Sequence, residues 1–295
     1  MPSVVTQIPA YSTTPYLTVA ELKRNPIYTQ LQKLVPGGSD ADNDAELARI
    51  IMRVSAMING ECRQNLSATV DTEAGWVTLS DYGELRIHTR NHPVRQVLSV
   101  SVGTDPYNTT AISDLSQTLF DPWRITIPAR ALTGSSIGFE PMLSLSGYRP
   151  GRRVWAQWSY VNGFPVTTLS APALAGATSM IVADATGILV DQTTLTVQDG
   201  KWLEHITPTA LSGNTLTVAP LTYAHQAGVG VNALPDDIQE AALFLISRVH
   251  DSWSMSMGAI THDGTGARKP GSTAGTGVRS LCDPGVILAP YKRVW

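Results

Sequence analysis

The sequence is poor in cysteine and in long apolar runs, and each shortage excludes a class of protein. Its two cysteines, Cys62 and Cys282, have no CxxC spacing, so neither a disulfide framework nor a zinc site is expected. No stretch approaches the roughly 20 apolar residues of a membrane span. The first residues also lack the cationic start and apolar core of a signal peptide. We therefore expect a chain that is made and kept in the cytoplasm, without membrane contact, unless a particle carries it out.

Charge is the second shortage. Charged residues make up 15% of the chain, against about 25% in ordinary domains, while hydrophobic residues make up 43%. The chain can thus form a sizeable core, and surfaces with so little charge often face other proteins. The net charge of −3 disfavours tight wrapping of nucleic acid, which needs a basic footprint, but leaves a DNA conduit open.

Signatures of catalysis are missing as well. The sequence has no GxSxG, HExxH or GxxxxGK[ST] motif and no evident carboxylate pair. His88 and His92 are four residues apart, but they lie in a strand-like stretch where that spacing does not favour a metal. Asp40, Asp42 and Asp44 alternate as in a calcium loop, yet Ala45 stands where that loop requires glycine, which favours a helix start. We expect no enzyme, no catalytic, cofactor-binding or metal-binding residue, and no cofactor.

Two segments near the ends have helical periodicity. The first, at 17–66, begins with a capping box at Thr18 and Glu21 and is interrupted by Pro26. The second, at 234–258, begins at Pro235. We expect the two segments to pair into a helical bundle core. The expected core residues are Leu47, Ile50, Ile51, Val54, Met57, Ile58, Ile238, Ala241, Ala242, Leu245 and Val249.

Alternating patterns fill the middle of the chain. Residues 67–165 predict a β-rich block with long loops, and residues 166–233 predict an inserted small β-sandwich or barrel of about five strands. In this module Asp199-Gly200 favours a tight hairpin. Trp155 and Tyr160 could form a sugar-stacking platform, although a core or interface role is favoured.

The predicted fold class is α+β: a bundle built from N- and C-terminal segments, with β-rich insertions. Three further segments complete the predicted organisation. They are an extended arm at 1–16, a flexible Gly-rich loop at 259–283 and a short C-terminal helix at 284–295.

Four stretches, in this order, resemble a known family: AELARIIMRVSAMINGEC, HPVRQVLSVSVG, WSYVNGFP, and LPDDIQEAALFLISRVHDS followed by ILAPYKR. The chain resembles the tailed-bacteriophage head-to-tail connector, specifically the adaptor that forms the first ring beneath the portal. In related chains WSYVNGFP would run almost directly into LPDDIQEAA, so residues 166–233 look like an insertion.

The resemblance implies a structural virion protein of the neck, at the head–tail junction, assembled in the host cytoplasm. Such adaptors are helical-bundle proteins that form a ring, usually of about twelve copies, on the portal after DNA packaging. The ring extends the channel through which double-stranded DNA passes during genome ejection, and it provides a docking platform for a stopper or tail-completion protein. The implied partners are therefore the portal, the stopper or tail-completion protein and further copies of the chain. No cofactor or reaction is implied.

The end of the chain is unusually apolar for a terminus. We expect its helix to dock on the portal or on a neighbouring subunit, while the alternative is that it folds back on its own bundle. The residues concerned are Val286, Ile287, Leu288, Tyr291, Lys292, Arg293 and Trp295.

Two other functions stay open. One is a phage tail or baseplate component whose β-module binds carbohydrate, and the other is a hydrolase whose site is assembled from distant loops.

Overall fold

The computed structural model describes residues 14–129, 153–199, 202–260 and 284–292. Several predictions therefore lie outside the described residues. These are most of the arm at 1–16, nearly all of the Gly-rich loop at 259–283, and Arg293 and Trp295.

The described chain begins and ends in helices. They are α1 (Val19–Arg24), a 3-10 helix (Pro26–Gln30), α2 (Asp40–Cys62), α3 (Asp236–Ile260), α4 (Pro284–Ile287) and a last 3-10 helix (Ala289–Tyr291).

Local capping explains where the first helices begin and end. Thr18 and Glu21 form the predicted capping box of α1, and Pro26 opens the 3-10 helix, so the predicted interruption is confirmed. Ser39 and Asp42 form a second capping box at the start of α2. The alternating aspartates therefore lie in the first turn of a helix, where negative charge is favourable.

α2 and α3 pack against each other around one hydrophobic core. Of the positions expected there, Leu47, Ile50, Ile51, Val54, Ile58, Ile238, Ala241 and Ala242 are buried, and Leu245 and Val249 are partly buried. Met57 is 50% exposed, which corrects its assignment to the core. The buried face of α2 also includes the polar Ser55 and Asn59, so its centre is rotated away from Met57.

Residues 69–127 and 153–162 form two antiparallel sheets around a second core. The strands are β1 (Thr69–Thr78), β2 (Leu85–His88), β3 (Val94–Gly103), β4 (Thr109–Ala111), β5 (Leu119–Asp121), β6 (Arg124–Ile127) and β7 (Arg153–Asn162). The order is β1-β7-β3-β4 in one sheet and β2-β6-β5 in the other. We call this unit the β-block.

Residues 166–232 form two smaller sheets around a third core, which we call the β-module. Its strands are β8 (Val166–Thr168), β9 (Ser179–Ile181), β10 (Leu195–Asp199), β11 (Trp202–Ile206), β12 (Ala210–Ser212), β13 (Thr215–Thr217) and β14 (Gly230–Asn232). The orders are β11-β10-β14-β8 and β12-β13-β9.

The β-module differs from its prediction in two details. It has seven described strands instead of about five, because five of them span only three residues, too few to show a clear alternation. Asp199 pairs with Trp202, so the predicted hairpin connects β10 and β11, but Asp199 is the last residue of β10 and not part of the turn.

The α+β class is confirmed, whereas a helical bundle is not seen in the described residues. Only α2 and α3 are long, and the four described sheets contain no closed barrel. In these residues no helix has the length and apolar character that a membrane crossing requires.

Candidate functional site

The stretches that carry the family resemblance meet at the end of α2. Arg63 adopts a left-handed conformation with φ 57° and ends the helix. The next residue, Gln64, is buried and bonds to two distant parts of the chain. Its Oε1 accepts from the backbone N–H of His92 at 3.0 Å, and its Nε2 donates to the carbonyl of Tyr291 at 2.9 Å. Gln64 thus connects α2, the start of β3 and the C-terminal segment.

The turn before β3 supplies the second part of this contact. His92 is buried, precedes a cis proline, and packs against Trp123 with ring centroids 3.8 Å apart and the ring planes tilted by 32°. The carbonyl of Pro93 accepts from the N–H of Gly163 at 3.0 Å. Arg95 donates from Nε to the carbonyl of Gly163 at 3.2 Å. The turn is therefore fixed on one side to α2 and on the other to the end of β7.

Gly163 is needed at this place. Its φ is 82°, and a Cβ there would lie 2.6 Å from the carbonyl oxygen of Ser67. This close approach lets Phe164 pair with the segment that follows α2. The N–H of Phe164 donates to the carbonyl of Leu66 at 2.8 Å, and the N–H of Ala68 donates to the carbonyl of Phe164 at 2.7 Å. The sequence Asn162-Gly163-Phe164 at the end of β7 is therefore explained by the close contact of its backbone with the segment that follows α2.

We refer to Gln64, His92, Arg95, Gly163, Phe164 and Tyr291 as the joint. The guanidinium of Arg95 lies 5.3 Å from the ring centroid of Phe164, and Tyr291 meets the same ring edge-on at 6.2 Å. The helical core, the β-block and the C-terminal segment all contribute to it. Because Val166 begins β8 two residues after Phe164, the joint also fixes the start of the β-module.

A buried polar cluster supports the joint from the side of α2. The Tyr16 hydroxyl bonds to Asn59 Oδ1 and accepts from the N–H of Leu66 at 3.0 Å, while Tyr16 N–H donates to Ser55 Oγ at 3.0 Å. Burial raises the pKa of Tyr16 well above its usual value. Tyr16 therefore stays protonated and anchors the chain that enters α1.

A second polar cluster lies between β1 and β7. Tyr160 donates from its hydroxyl to Glu73 Oε1 at 2.5 Å, and the same oxygen accepts from the N–H of Arg90 at 3.0 Å. Asn162 Nδ2 donates to Asp71 at 2.8 Å. Burial raises the pKa of Glu73 despite these bonds. Both carboxylates are engaged by neighbouring groups, which is an arrangement that holds strands together.

The C-terminal segment lies on the chain's own helical core. Leu288 is fully buried there, and Ile287 and Tyr291 pack against it partly buried. The Tyr291 hydroxyl donates to Asp237 at 2.8 Å, and Lys292 forms an ion pair with Glu61.

Leu288, Tyr291 and Lys292 thus make contacts within the chain, and docking on the portal or on a neighbouring subunit stays a prediction. Val286 is half-buried in the same segment. The structure thus favours the alternative in which the terminus folds back.

The sequence pointed to the stretches around the joint but not to Gln64 or Arg95 as contact residues. Gln64 bonds to residues 28 and 227 positions away, and no local pattern records such a partner. The signals that were present are the His-Pro pair and the Asn-Gly pair, which mark turns.

Candidate metal ligands are not gathered in the described residues. These residues contain no cluster of three or more His, Cys, Asp or Glu side chains fit to hold a metal. Cys62 is buried, and burial raises the pKa of its thiol to about 12, so it is not a reactive nucleophile. His225 bonds to Glu204 at 3.1 Å, but its side chain is fully buried and cannot reach a substrate.

Trp155 and Tyr160 do not form a common platform. Trp155 lies on the outer face of the β-block, edge-on to Trp76 at 5.6 Å, whereas Tyr160 is fully buried in the core. Residues five apart on a strand point to opposite faces.

Comparisons with known proteins were made by family, by sequence and by structure. No family model and no curated protein matches the chain. One solved chain, from "Neck of empty GTA particle computed with C6 symmetry", is 15% identical with a TM-score of 0.38, and the match covers 100% of this chain and 96% of that one. At this TM-score the likeness establishes neither a fold nor a function for this chain.

Proposed function

We propose that the chain is a structural protein of a phage-like virion neck, an adaptor that forms a ring beneath the portal. In this role it extends the DNA channel and gives a stopper or tail-completion protein a surface on which to dock. Its partners would be the portal, further copies of itself and the stopper, with double-stranded DNA passing through the ring.

The observation that carries the proposal is that the stretches resembling the adaptor family meet at one place. α2, the His92 turn, the end of β7 and the C-terminal segment contact one another through the joint. Stretches far apart in sequence would share one location if they preserve a single structural unit. The joint links the helical core, on which Phe164 and Tyr291 pack, to the turn before β3 of the β-block through Gln64 and His92.

The low charge of the chain supports a ring with a DNA passage. Subunit contacts that are weak one at a time become strong when they repeat around a closed ring. A net charge of −3 also avoids tight phosphate contacts, which would retard DNA.

The proposal is tested by deleting the gene for this chain from the genome that encodes the particle. We expect DNA-filled heads without tails, and rescue by the wild-type chain supplied in trans. Tailed, infectious particles formed without the chain would refute the proposal.

A second candidate function rests on one feature of the β-module. Trp202, at 41% exposure, stacks on Tyr223 with centroids 4.3 Å apart and an angle of 18°. Exposed aromatic rings are what a sugar face packs against. If the module belongs to a tail or baseplate component, the chain will bind glycans on an array and Trp202→Ala will abolish the binding, with Trp76→Ala as the matched control.

A further inference from the structure

The β-block has a groove beside an unpaired strand edge. β1 pairs with β7 along its whole length, and among the described residues its other edge has only the bridge between Leu79 and Leu85, just past its end. A groove of about 520 Å³ opens along this edge, between β1 and β2. An unpaired edge of this length offers backbone N–H and C=O groups with which a strand of another chain can pair.

The groove interrupts the packing of the block. Gly75 pairs with Ala156, whose side chain is fully buried, so position 75 faces inward. A Cβ built on Gly75 nevertheless has no heavy atom of the described residues within 4 Å. Protein interiors rarely leave an inward position empty, because packing there is close. An apolar side chain supplied from outside would therefore fit beneath the edge of β1.

The floor of the groove also has an unsatisfied donor. Trp158 lines the groove and is buried, and its indole Nε1 has no hydrogen-bond partner among the described residues. A buried donor without a partner costs about 1–3 kcal/mol. A backbone carbonyl from an added strand would satisfy it. The groove thus fits an extended segment that carries a large apolar side chain.

The opposite side of the β-block presents such a segment. β5 is an edge strand, and β1 lies beside β2 at the other edge, so the groove and β5 are on different sides. Leu119 and Phe120 of β5 are 69% and 44% exposed. Phe120 pairs with the fully buried Ile125, so it occupies an inward position on an uncovered edge.

Each of the two edges carries a balanced ion pair, and the groove itself is also lined by Glu73 and Arg90, which are of opposite charge. Near the groove Arg86 pairs with Glu84 at 2.8 Å, and on β5 Arg124 pairs with Asp121 at 3.1 Å. Each of these pairs is neutral, so neither brings a net charge to the contact.

We propose that β5 of one copy adds to the free edge of β1 of the next copy and places Phe120 in the groove above Gly75. The two surfaces differ, so the contact is head-to-tail and repeats from copy to copy. Its closure into a ring rests on the proposed function, whereas the contact itself does not.

The test is disulfide trapping in the full chain with Cys282 replaced by serine. Ala74→Cys and Trp76→Cys are each combined with Leu119→Cys, because these two neighbours of Gly75 face outward, as the exposed Leu119 does. At least one of the two double variants should give a ladder of dimers, trimers and larger species on oxidation, while a mixture of the corresponding single variants should stop at dimers. Thr72→Cys with Leu119→Cys is the control, because Thr72 lies on β1 beyond the groove and should give at least tenfold less product.

A second measurement uses one variant on each side of the proposed contact. Gly75→Leu fills the groove from within, and Phe120→Ser removes the inserted ring, so each should weaken self-association at least tenfold in sedimentation velocity. Tyr107→Ser is the control, because Tyr107 is 93% exposed on a hairpin away from both edges and its loss should leave association unchanged.

Two results overturn the contact. One is the absence of both a 74–119 and a 76–119 cross-link, whether the chain is free or bound in portal assemblies. The other is unchanged association in both groove variants. If rings form on portals without either cross-link, the contact is wrong and the proposed function stands. If the ladder forms but no ring binds a portal, the proposed function is wrong and the contact stands.

Discussion

Leu288→Ala should destabilise the helical core strongly, although Leu288 lies only seven residues from the end of the sequence. Its side chain is fully buried among residues of α2 and α3. Removing a buried leucine side chain costs about 2–5 kcal/mol, with the lower part of this range where neighbours can collapse into the space. The short segment 284–292 can shift, so we expect about 2–3 kcal/mol.

The size of this effect has an upper limit set by the segment itself. If the variant releases the segment entirely, the loss equals the free energy that holds residues 284–295 on the core. Deleting these residues should therefore destabilise the chain at least as much as Leu288→Ala does.

The assay is urea unfolding followed by circular dichroism at the helix band, because the described helices belong to this core. A loss of 2–3 kcal/mol corresponds to a midpoint lower by about 1 M urea. Val286→Ala is the control, since Val286 is half-buried outside the core and should cost under about 1 kcal/mol. A Leu288→Ala variant within about 0.5 kcal/mol of the wild type would refute the fold-back reasoning and favour the docking interpretation.

Three further predictions follow from the fold. Gly163→Ala should cost more than about 2 kcal/mol in thermal or urea unfolding, because its φ is 82° and its Cβ would meet the Ser67 carbonyl; a neutral result would contradict the close approach. Ser39→Ala should lower the free energy of unfolding by about 1 kcal/mol, because the capping box of α2 is lost, and Ser39→Asn should keep most of that stability. Glu73 has a raised pKa in the folded state, so the folded chain binds its proton more tightly than the unfolded chain does. Stability therefore falls as pH rises above the usual glutamate pKa of about 4.3 and through the folded value. Glu73→Gln keeps an acceptor for Tyr160 and should show a smaller decrease over that window in a pH series of unfolding experiments, whereas an unchanged slope would contradict the burial of this charge.

Sequence patterns located most of the elements because the information for them is local. The capping box at Thr18, the break at Pro26 and the inward positions of α2 depend on residues within about four positions of one another. The strands of the β-block were visible for the same reason, since alternation between two faces repeats along each strand.

Other features were not predictable because they depend on distant partners. Gln64 bonds to His92 and Tyr291, and neither bond leaves a pattern in the residues around Gln64. The sequence left docking and folding back of the C-terminus as alternatives for a related reason. An apolar helix has the same sequence whether its partner is another protein or its own core, and only the position of Leu288 distinguishes the two.

Trp155 and Tyr160 are a different case, because the sequence did contain the answer. Their separation of five positions on a strand places them on opposite faces, and the structure has one outside and one in the core. Met57 lies at the edge of a helical face, where a small rotation of the helix decides between burial and exposure.

Electron microscopy of the purified chain mixed with the portal of the same particle tests the central claim most directly. The proposed adaptor role predicts a closed ring of copies bound coaxially beneath the portal. This complex should not be seen when either protein is imaged alone. Portals that remain bare at saturating concentrations of folded chain would contradict the claim.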